Sequence, residues 1–305
     1  MKSAILRVLR SNEGPVSGPV LCERLGATRV AVWKHIRRLI ELGYEIEAGP
    51  RGYRLVASPD RPYPWEFPGR EERIVYLEEV GSSMDVAREL ARQGCPAFTA
   101  VVAERQTAGR GRLRRPWVSE EGGLYVTIVM RPRIPVLFSP RVNFLVSCTL
   151  VTLLRRDFGV DAGVKWPNDI LVGGRKLCGL LSEMEAEGEE VAFVNVGVGL
   201  NVNNDPPRVR PPAVSLAQLL GRKISRREVL ARLLDDLEKE ASAAPWEGII
   251  ARWKGHTVTL GKPVRVSTGT EEVRGVARDI DPFGALLVEE PGGRLRTVLH
   301  GDCFL

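Results

Sequence analysis

The stretch "ASPDRPYPWEFPG", residues 57–69, places four prolines in thirteen positions. Proline fixes φ and has no backbone donor, so neither a helix nor a central strand runs through such a segment. It is expected as an extended spacer. It divides a 305-residue chain, too long for one ordinary core, into a short leading part and a long remainder.

Charge divides the chain at the same place. Residues 1–56 carry ten Lys/Arg against five Asp/Glu, whereas the remainder carries 34 against 33, so nearly all of the net charge of +6 sits in the leading segment. A basic segment of this kind suits a polyanionic partner. Its pattern is helix, helix, turn, helix, hairpin. Ile5, Val8 and Leu9 repeat at helical spacing, and Ser17 caps a second helix that ends before Gly26. Thr28 caps a third, "RVAVWKHIRRLIEL", with Val32, Ile36 and Leu39 as its buried stripe. The sequence "YEIEAGPRGYRL" then alternates around a turn. This is a winged helix-turn-helix. Arg29, Trp33, Lys34, Arg37 and Arg38 lie on the third helix, Thr28 at its start, and Arg51 and Arg54 on the wing. They form the expected DNA-binding set, with the helix in the major groove and the wing on phosphate. A protein-docking winged helix has the same architecture; the one-sided basic face favours DNA.

Composition sets the class. Apolar residues make up 44% and charged residues 27%, as in a globular domain. The apolar runs fall short of the about 20 residues a membrane span needs, and the first residues lack the apolar core of a signal peptide. A cytoplasmic protein with no membrane partner is expected. The five cysteines form no C-x-x-C pair and there are only three histidines, so no zinc set assembles and free thiols are expected.

Beyond the spacer, strands "RIVYLEEV", "FTAVVAE", "GGLYVTIVM" and "EVAFVNVGVGLNVN" alternate with a helix starting at Ser82 or Ser83 and a long buried helix "PRVNFLVSCTLVTLLRRDFG". Ser225 with Glu228 caps a late helix. The last fifty residues read as short strands with glycine turns, a small β-barrel. The expected domains are 1–58, a linker 59–69, a mixed α/β domain 70–255 and a barrel 256–305.

The chemistry-bearing segment is "ERQTAGRGRLRRPW", residues 104–117. It is not a P-loop, and "GRGRLR" lacks the third glycine of a dinucleotide fingerprint. G-x-S-x-G and H-E-x-x-H do not occur. Gly109 and Gly111 let backbone N–H groups approach a ligand closely. Arg110 and Arg112 present planar forks suited to carboxylate and phosphate. A solvated loop reads equally well in isolation. Lys165, on a strand in "GVKWPNDILV", needs an anion, supplied by an acidic neighbour or by a ligand phosphate.

Taken in order, "SSMD", "AERQTAGRGR", "PWVSEEGGLYVTIV", "KWPNDI", "GRKLCGLLSE" and "VGVGLNVN" resemble the biotin protein ligases. The final "GVARDIDPFGALLVEE" resembles that family's C-terminal SH3-like barrel, and the winged helix resembles its members that double as biotin-operon repressors. The resemblance covers nearly the whole chain. It implies a class II synthetase-like catalytic domain that makes biotinyl-5′-AMP from biotin and ATP with Mg²⁺, with no tightly bound cofactor. The biotinyl group then passes to a lysine of a biotin carboxyl carrier protein. The resemblance also implies operator DNA as a partner and a homodimer formed with biotinyl-AMP.

The same resemblance assigns roles. Ser82, Ser83, Met84, Gln106, Arg110, Gly111, Arg112, Lys165 and Gly179 bind biotin. Arg112, Trp117, Lys165, Asn168 and Asn201 bind ATP, and Asp169 contacts Mg²⁺. Lys165 and Arg112 carry catalysis. Three departures stand out. Met84 replaces an asparagine. Leu113, Arg114 and Arg115 replace a Gly-Arg pair, which implies a stiffer and more basic loop. The tail "HGDCFL" lacks a final arginine. A lipoate or octanoate ligase shares the catalytic fold but carries an R-R-x-S-G-G-G-like element that does not occur here. A non-catalytic biotin-sensing transcription factor is the other alternative.

Overall fold

The protein is described from a computed structural model covering residues 1–207, 212–243 and 246–305. These fall into two compact units, Met1–Ile74 and Val75–Leu305.

In the first unit, α1 (Lys2–Arg10), α2 (Gly18–Leu25) and α3 (Arg29–Glu41) precede the antiparallel hairpin β1 (Glu45–Gly49) and β2 (Gly52–Ala57). This is the expected winged helix-turn-helix. Ile5, Leu9, Leu21, Val32, Ile36 and Leu39 fill its core, so the stripe on α3 faces inward as its spacing requires. Thr28 accepts from the Ala31 N–H at 3.3 Å and caps α3. Gly26 ends α2 in a left-handed conformation with φ 56°.

The proline-rich segment is not an extended spacer. Tyr63 and Phe67 are buried. Tyr63 stacks on Trp65 with centroids 4.7 Å apart, and the Trp65 Nε1 donates to the Tyr44 hydroxyl at 2.9 Å. Glu66 accepts from the Tyr44 hydroxyl and pairs with Arg10 at 2.9 Å. The prolines do exclude regular structure. The aromatic residues between them carry more apolar surface than a solvated linker leaves exposed, so the segment folds onto its own unit and the boundary moves to Ile74.

The second unit is built on β3 (Ile74–Val80), β4 (Thr99–Gln106), β5 (Leu124–Met130), β6 (Ala162–Lys165), β7 (Asp169–Val172), β8 (Arg175–Glu187) and β9 (Glu190–Leu200), with α4 (Ser83–Arg92) and α5 (Pro140–Phe158) inserted in chain order. The seven strands form one sheet in the order β3-β4-β5-β9-β8-β7-β6. The pairs from β4 through β6 are antiparallel. The helix α5 is long and apolar enough to cross a membrane by composition, but its apolarity is spent inside: Val142, Leu145, Val146, Leu150, Val151 and Leu154 are buried against the sheet and later helices. Those helices are α6 (Leu216–Leu220), α7 (Arg226–Ala243) and α8 (Ile249–His256). Ser225 accepts from the Glu228 N–H at 3.2 Å at the start of α7. Arg226 meets Glu104 at 2.8 Å, an ion pair almost wholly removed from solvent.

The last strands are β10 (Pro263–Ser267), β11 (Glu272–Ile280), β12 (Leu286–Glu289), β13 (Leu295–Val298) and β14 (Asp302–Phe304). They make a five-stranded antiparallel sheet in the order β13-β12-β11-β10-β14. All five cysteines are free thiols.

Candidate active site

One row of cross-strand partners organises the site. Lys165 pairs with Asp169, Asp169 with Gly179, Gly179 with Gly199, and Gly199 with Tyr125. Residues opposite one another in antiparallel strands point to the same face. Lys165, Asp169 and Tyr125 therefore share a face with two bare glycines between them. The next row on that face holds Thr127, Gly197 and Leu181. The glycines make a floor without side chains, and other side chains lie down on it. A Cβ at Gly199 would stand 2.5 Å from Cε2 of Trp117, one at Gly179 would stand 2.9 Å from its Cζ3, and one at Gly197 would stand 3.0 Å from Sδ of Met84.

Above the floor is a cavity of about 940 Å³, the upper part of the range for small-ligand sites. All the residues the sequence assigns to biotin, ATP and Mg²⁺ line it. They fall into three groups. At one end, the Ser83 N–H and hydroxyl reach Gln106 Oε1 at 2.8 and 3.1 Å, and the Ser83 hydroxyl meets Thr127 Oγ1 at 2.8 Å. Gln106 Nε2 donates to Ser119 Oγ at 2.8 Å. Met84 is buried beside Gly197, which gives it the packing role that its lack of a polar head allows. At the other end, the Trp117 indole lies on Gly199 and Gly179, and its Nε1 is buried without a hydrogen-bond partner. Asn201 is buried close by, its Oδ1 accepting from Asn204 at 3.0 Å.

Cations form the third group, two of them around Asp169. Asp169 accepts Lys176 at 2.7 Å and faces Lys165 at 3.8 Å. Lys176 also lies 5.1 Å from the Trp117 ring centroid. Arg112 Nη1 donates to the Gly301 carbonyl at 3.0 Å and to Asn168 Oδ1 at 3.4 Å. Burial lowers the pKa of Arg112, while Asp302 and Asp169 oppose that shift. Asn168 is itself held to β8, donating from Nδ2 to the Leu180 carbonyl at 2.5 Å. Arg110 lines the cavity, yet its guanidinium is spent on Asp85 at 2.8 and 2.6 Å, with Glu183 at 3.4 Å. That contact raises the pKa of Arg110 and lowers that of Asp85. Arg110 thus pins the loop to α4, and Arg112 is the loop arginine aimed at the interior.

The sequence reading passed over Lys176, Thr127, Asp302 and Cys303, which also line the cavity. The alternation of "LYVTIVM" puts Thr127 two residues from Tyr125 and so on the same face, a signal available in advance. Lys176 belongs to "GRKLCGLLSE", where a strand-borne lysine called for the argument applied to Lys165. Asp302 and Cys303 come from β14, distant in sequence. Burial pushes the Cys303 thiol up to about 11, so it stays protonated at neutral pH. Among the described residues no three His, Cys, Asp or Glu converge into a metal site. The cavity carboxylates Asp169 and Asp302 are both engaged by cations.

In the first unit, Arg29, Trp33, Lys34, Arg37, Arg38 and Arg51 are all exposed. The Arg37 guanidinium stacks 5.2 Å from the Trp33 ring centroid. Arg38 pairs with Glu41 at 2.9 Å and Arg54 with Glu47 at 2.8 Å, both in solvent. Thr28 serves as the cap.

Residues 79–201 match the biotin/lipoate A/B protein ligase family, 259–305 the biotin protein ligase C terminal domain and 2–54 an HTH domain. The chain is 38% identical to the bifunctional ligase/repressor BirA of Bacillus subtilis (strain 168), over 95% of this chain and 94% of that protein. It is 30% identical to the Escherichia coli (strain K12) protein of the same name, over 90% and 88% respectively. The solved biotin protein ligase from Aquifex aeolicus in complex with biotin and ATP superposes with a TM-score of 0.62 at 27% identity, covering 76% of this chain and 97% of that one. With this similarity running through helix-turn-helix, sheet and C-terminal strands alike, the chain belongs to the biotin protein ligase family, among its combined ligase and repressor members.

Proposed function

We propose that this protein joins biotin to ATP as biotinyl-5′-AMP and transfers the biotinyl group to a lysine of a biotin carboxyl carrier protein. The observation that carries this reading is one cavity that brings three cations, Arg112, Lys165 and Lys176, together with the polar Ser83–Gln106 group and the Trp117 indole. In the first step a biotin carboxylate oxygen bonds to the α-phosphorus of ATP, the bond to the bridging oxygen breaks, and pyrophosphate leaves. Both partners are anions, so the barrier is largely repulsion. Preorganised cations lower it without a general base, because the carboxylate is already ionised. In the second step the carrier amine bonds to the acyl carbon, AMP leaves, and the amine gives up a proton. The protonated Cys303 thiol does not compete as an acyl acceptor.

In this reading Ser82, Ser83, Met84, Gln106, Gly111 and Gly179 hold biotin, with Arg110 fixing the loop over it. Trp117, Asn168 and Asn201 hold the nucleotide, and the unpartnered Trp117 Nε1 is a donor left for it. Mg²⁺ supplies charge neutralisation on the phosphates and arrives with them. Asp169, which Lys176 engages, would be the protein carboxylate that contacts it. The last five strands are taken as the small SH3-like barrel, and residues 1–74 as the operator-binding unit. That unit acts through Thr28, Arg29, Trp33, Lys34, Arg37, Arg38 and Arg51. A palindromic operator requires a two-fold dimer, and we place the protein in the cytoplasm as a homodimer when biotinyl-AMP is bound.

Transfer of labelled biotin to a carrier domain tests the reaction; a non-catalytic sensor gives none. Lys165→Ala and Arg112→Ala should each slow biotin-dependent pyrophosphate release by about 100–1000-fold, the cost of removing one transition-state donor. Rates like the wild type in both variants reject the assignment. Footprinting upstream of biotin genes, with and without biotin and ATP, tests the repressor. Sedimentation tests the dimer: an unchanged monomer fraction on adding biotinyl-AMP counts against it.

A further inference from the structure

Residues 112–115 of the loop between β4 and β5 reach Gly301 and Asp302, where β14 begins. Arg112 donates to the Gly301 carbonyl at 3.0 Å, and Arg115 is ion-paired with the Asp302 carboxylate. Between these anchors Leu113 and Arg114 have φ of 54° and 57°, a left-handed conformation that side chains other than glycine adopt reluctantly. Two backbone bonds close the turn, Gly111 N to Arg115 O at 2.8 Å and Arg115 N to Arg112 O at 3.2 Å. Two consecutive residues in this region are costly, and the contacts outside the loop add to the two bonds that close the turn. On the receiving side Gly301 has φ 149°, and a Cβ there would stand 2.8 Å from the Ser267 carbonyl, so the close approach requires glycine.

We propose that Asp302 is a positioning residue. By holding Arg115 it keeps the strained 112–115 turn closed and the Arg112 guanidinium inside the cavity, which makes β14 part of the jaw that closes on the ligand. The consequence for the reaction rests on reading Arg112 as acting on the reacting anions; the latch itself does not.

Thermolysin cleavage before Leu113 reads the latch directly, in the ligand-free full-length protein, and the recognised bond is untouched by changes at the charged residues. Leu113 is more than half exposed. Asp302→Asn and Arg115→Gln should each speed this cleavage about three- to tenfold, the range expected of a partly exposed ion pair that also restrains a strained turn. The exchange of charges, Asp302→Arg with Arg115→Asp, should return it to within about twofold of the wild type while each single reversal does not. The same single variants should lower kcat for biotin-dependent pyrophosphate release more than they raise KM for biotin, because Arg112 is misplaced rather than removed. Cleavage at the wild-type rate in both single variants, or no recovery in the exchange, overturns the proposal. Should Asp302→Asn fail to fold, Arg115→Gln, at an exposed loop position, decides alone. Faster cleavage in a protein whose wild type releases no pyrophosphate would keep the latch and sink the reaction. Unchanged cleavage with normal release would do the reverse.

Discussion

Replacing Gly199 by alanine should separate the two ends of the cavity. The added Cβ would stand 2.5 Å from Cε2 and 2.7 Å from Nε1 of Trp117. Non-bonded carbons rest at about 3.5–4.0 Å, so one partner must retreat by about 1 Å. Gly199 is held in β9 between Tyr125 and Gly179 by ladders on both sides, and the sheet does not yield. The indole must lift into the space proposed for the nucleotide. Overpacking of this kind costs about 1–3 kcal/mol, which at about 1.4 kcal/mol per decade raises the KM for ATP by roughly five- to 150-fold. Biotin affinity, set at the Ser83 end, should stay within about twofold. Gly197→Ala supplies the converse, since its Cβ would press at 3.0 Å on the flexible Met84 thioether. It should weaken biotin mildly and leave ATP alone. Calorimetric titration with biotin and pyrophosphate-release kinetics over ATP measure the pair. If Gly199→Ala leaves the ATP KM within about twofold while the fold is intact by circular dichroism, Trp117 is not the nucleotide seat.

Phe67→Ala should cost about 3–5 kcal/mol in urea unfolding, the price of a buried phenyl ring, whereas a position in a free spacer would change stability by no more than about 0.5 kcal/mol. The smaller result would restore the extended linker. A pH prediction comes from His256, whose pKa is lowered below 6.5 first by burial and then by Arg155 and Arg252. A depressed base binds its proton later in the folded state than in the unfolded one. Its contribution is therefore complete above the ordinary value and lost as pH falls through the folded value. His35 has the same sign, from burial, the N-terminal amine and Lys2. The thermal midpoint should fall from pH 7.5 to pH 5, and His256→Gln should flatten part of that fall; an identical slope in the variant rejects the assignment.

The elements with strong local signals were legible in the residues. The stripe Val32–Ile36–Leu39, the Thr28 cap and the alternating strands reappear where periodicity places them, because each is fixed by neighbours within a few positions. The proline-rich segment misleads because its prolines act locally, whereas Trp65 acts through Tyr44 and Glu66 through Arg10, invisible to any window of sequence. The site divides in the same way. Gly111, Arg112 and Lys165 sit in recognisable motifs. That Arg110 turns to Asp85 and Arg112 to Gly301 depends on α4 and β14, elements that meet the loop only in the fold. Lys176 is as legible as Lys165, because both are strand-borne lysines that need an anion.

Which cation acts on a ligand can be argued from what each already holds. Arg110 is committed to Asp85, Arg115 to Asp302 and Lys176 to Asp169, each in direct contact. Lys165 is farther from its acid, at 3.8 Å. Arg112 has only neutral oxygens within hydrogen-bond reach among the described residues, those of Gly301 and Asn168, in a setting where burial already weighs against its charge. A half-buried cation with neutral partners is poorly compensated. An anion entering the cavity relieves that deficit, whereas at Arg110 it would have to displace a carboxylate and gain little. The anion's pull is thus concentrated on Arg112 and Lys165, which both lie beside the Asn168–Asp169 pair, and two anions drawn to that pair are brought together against their own repulsion.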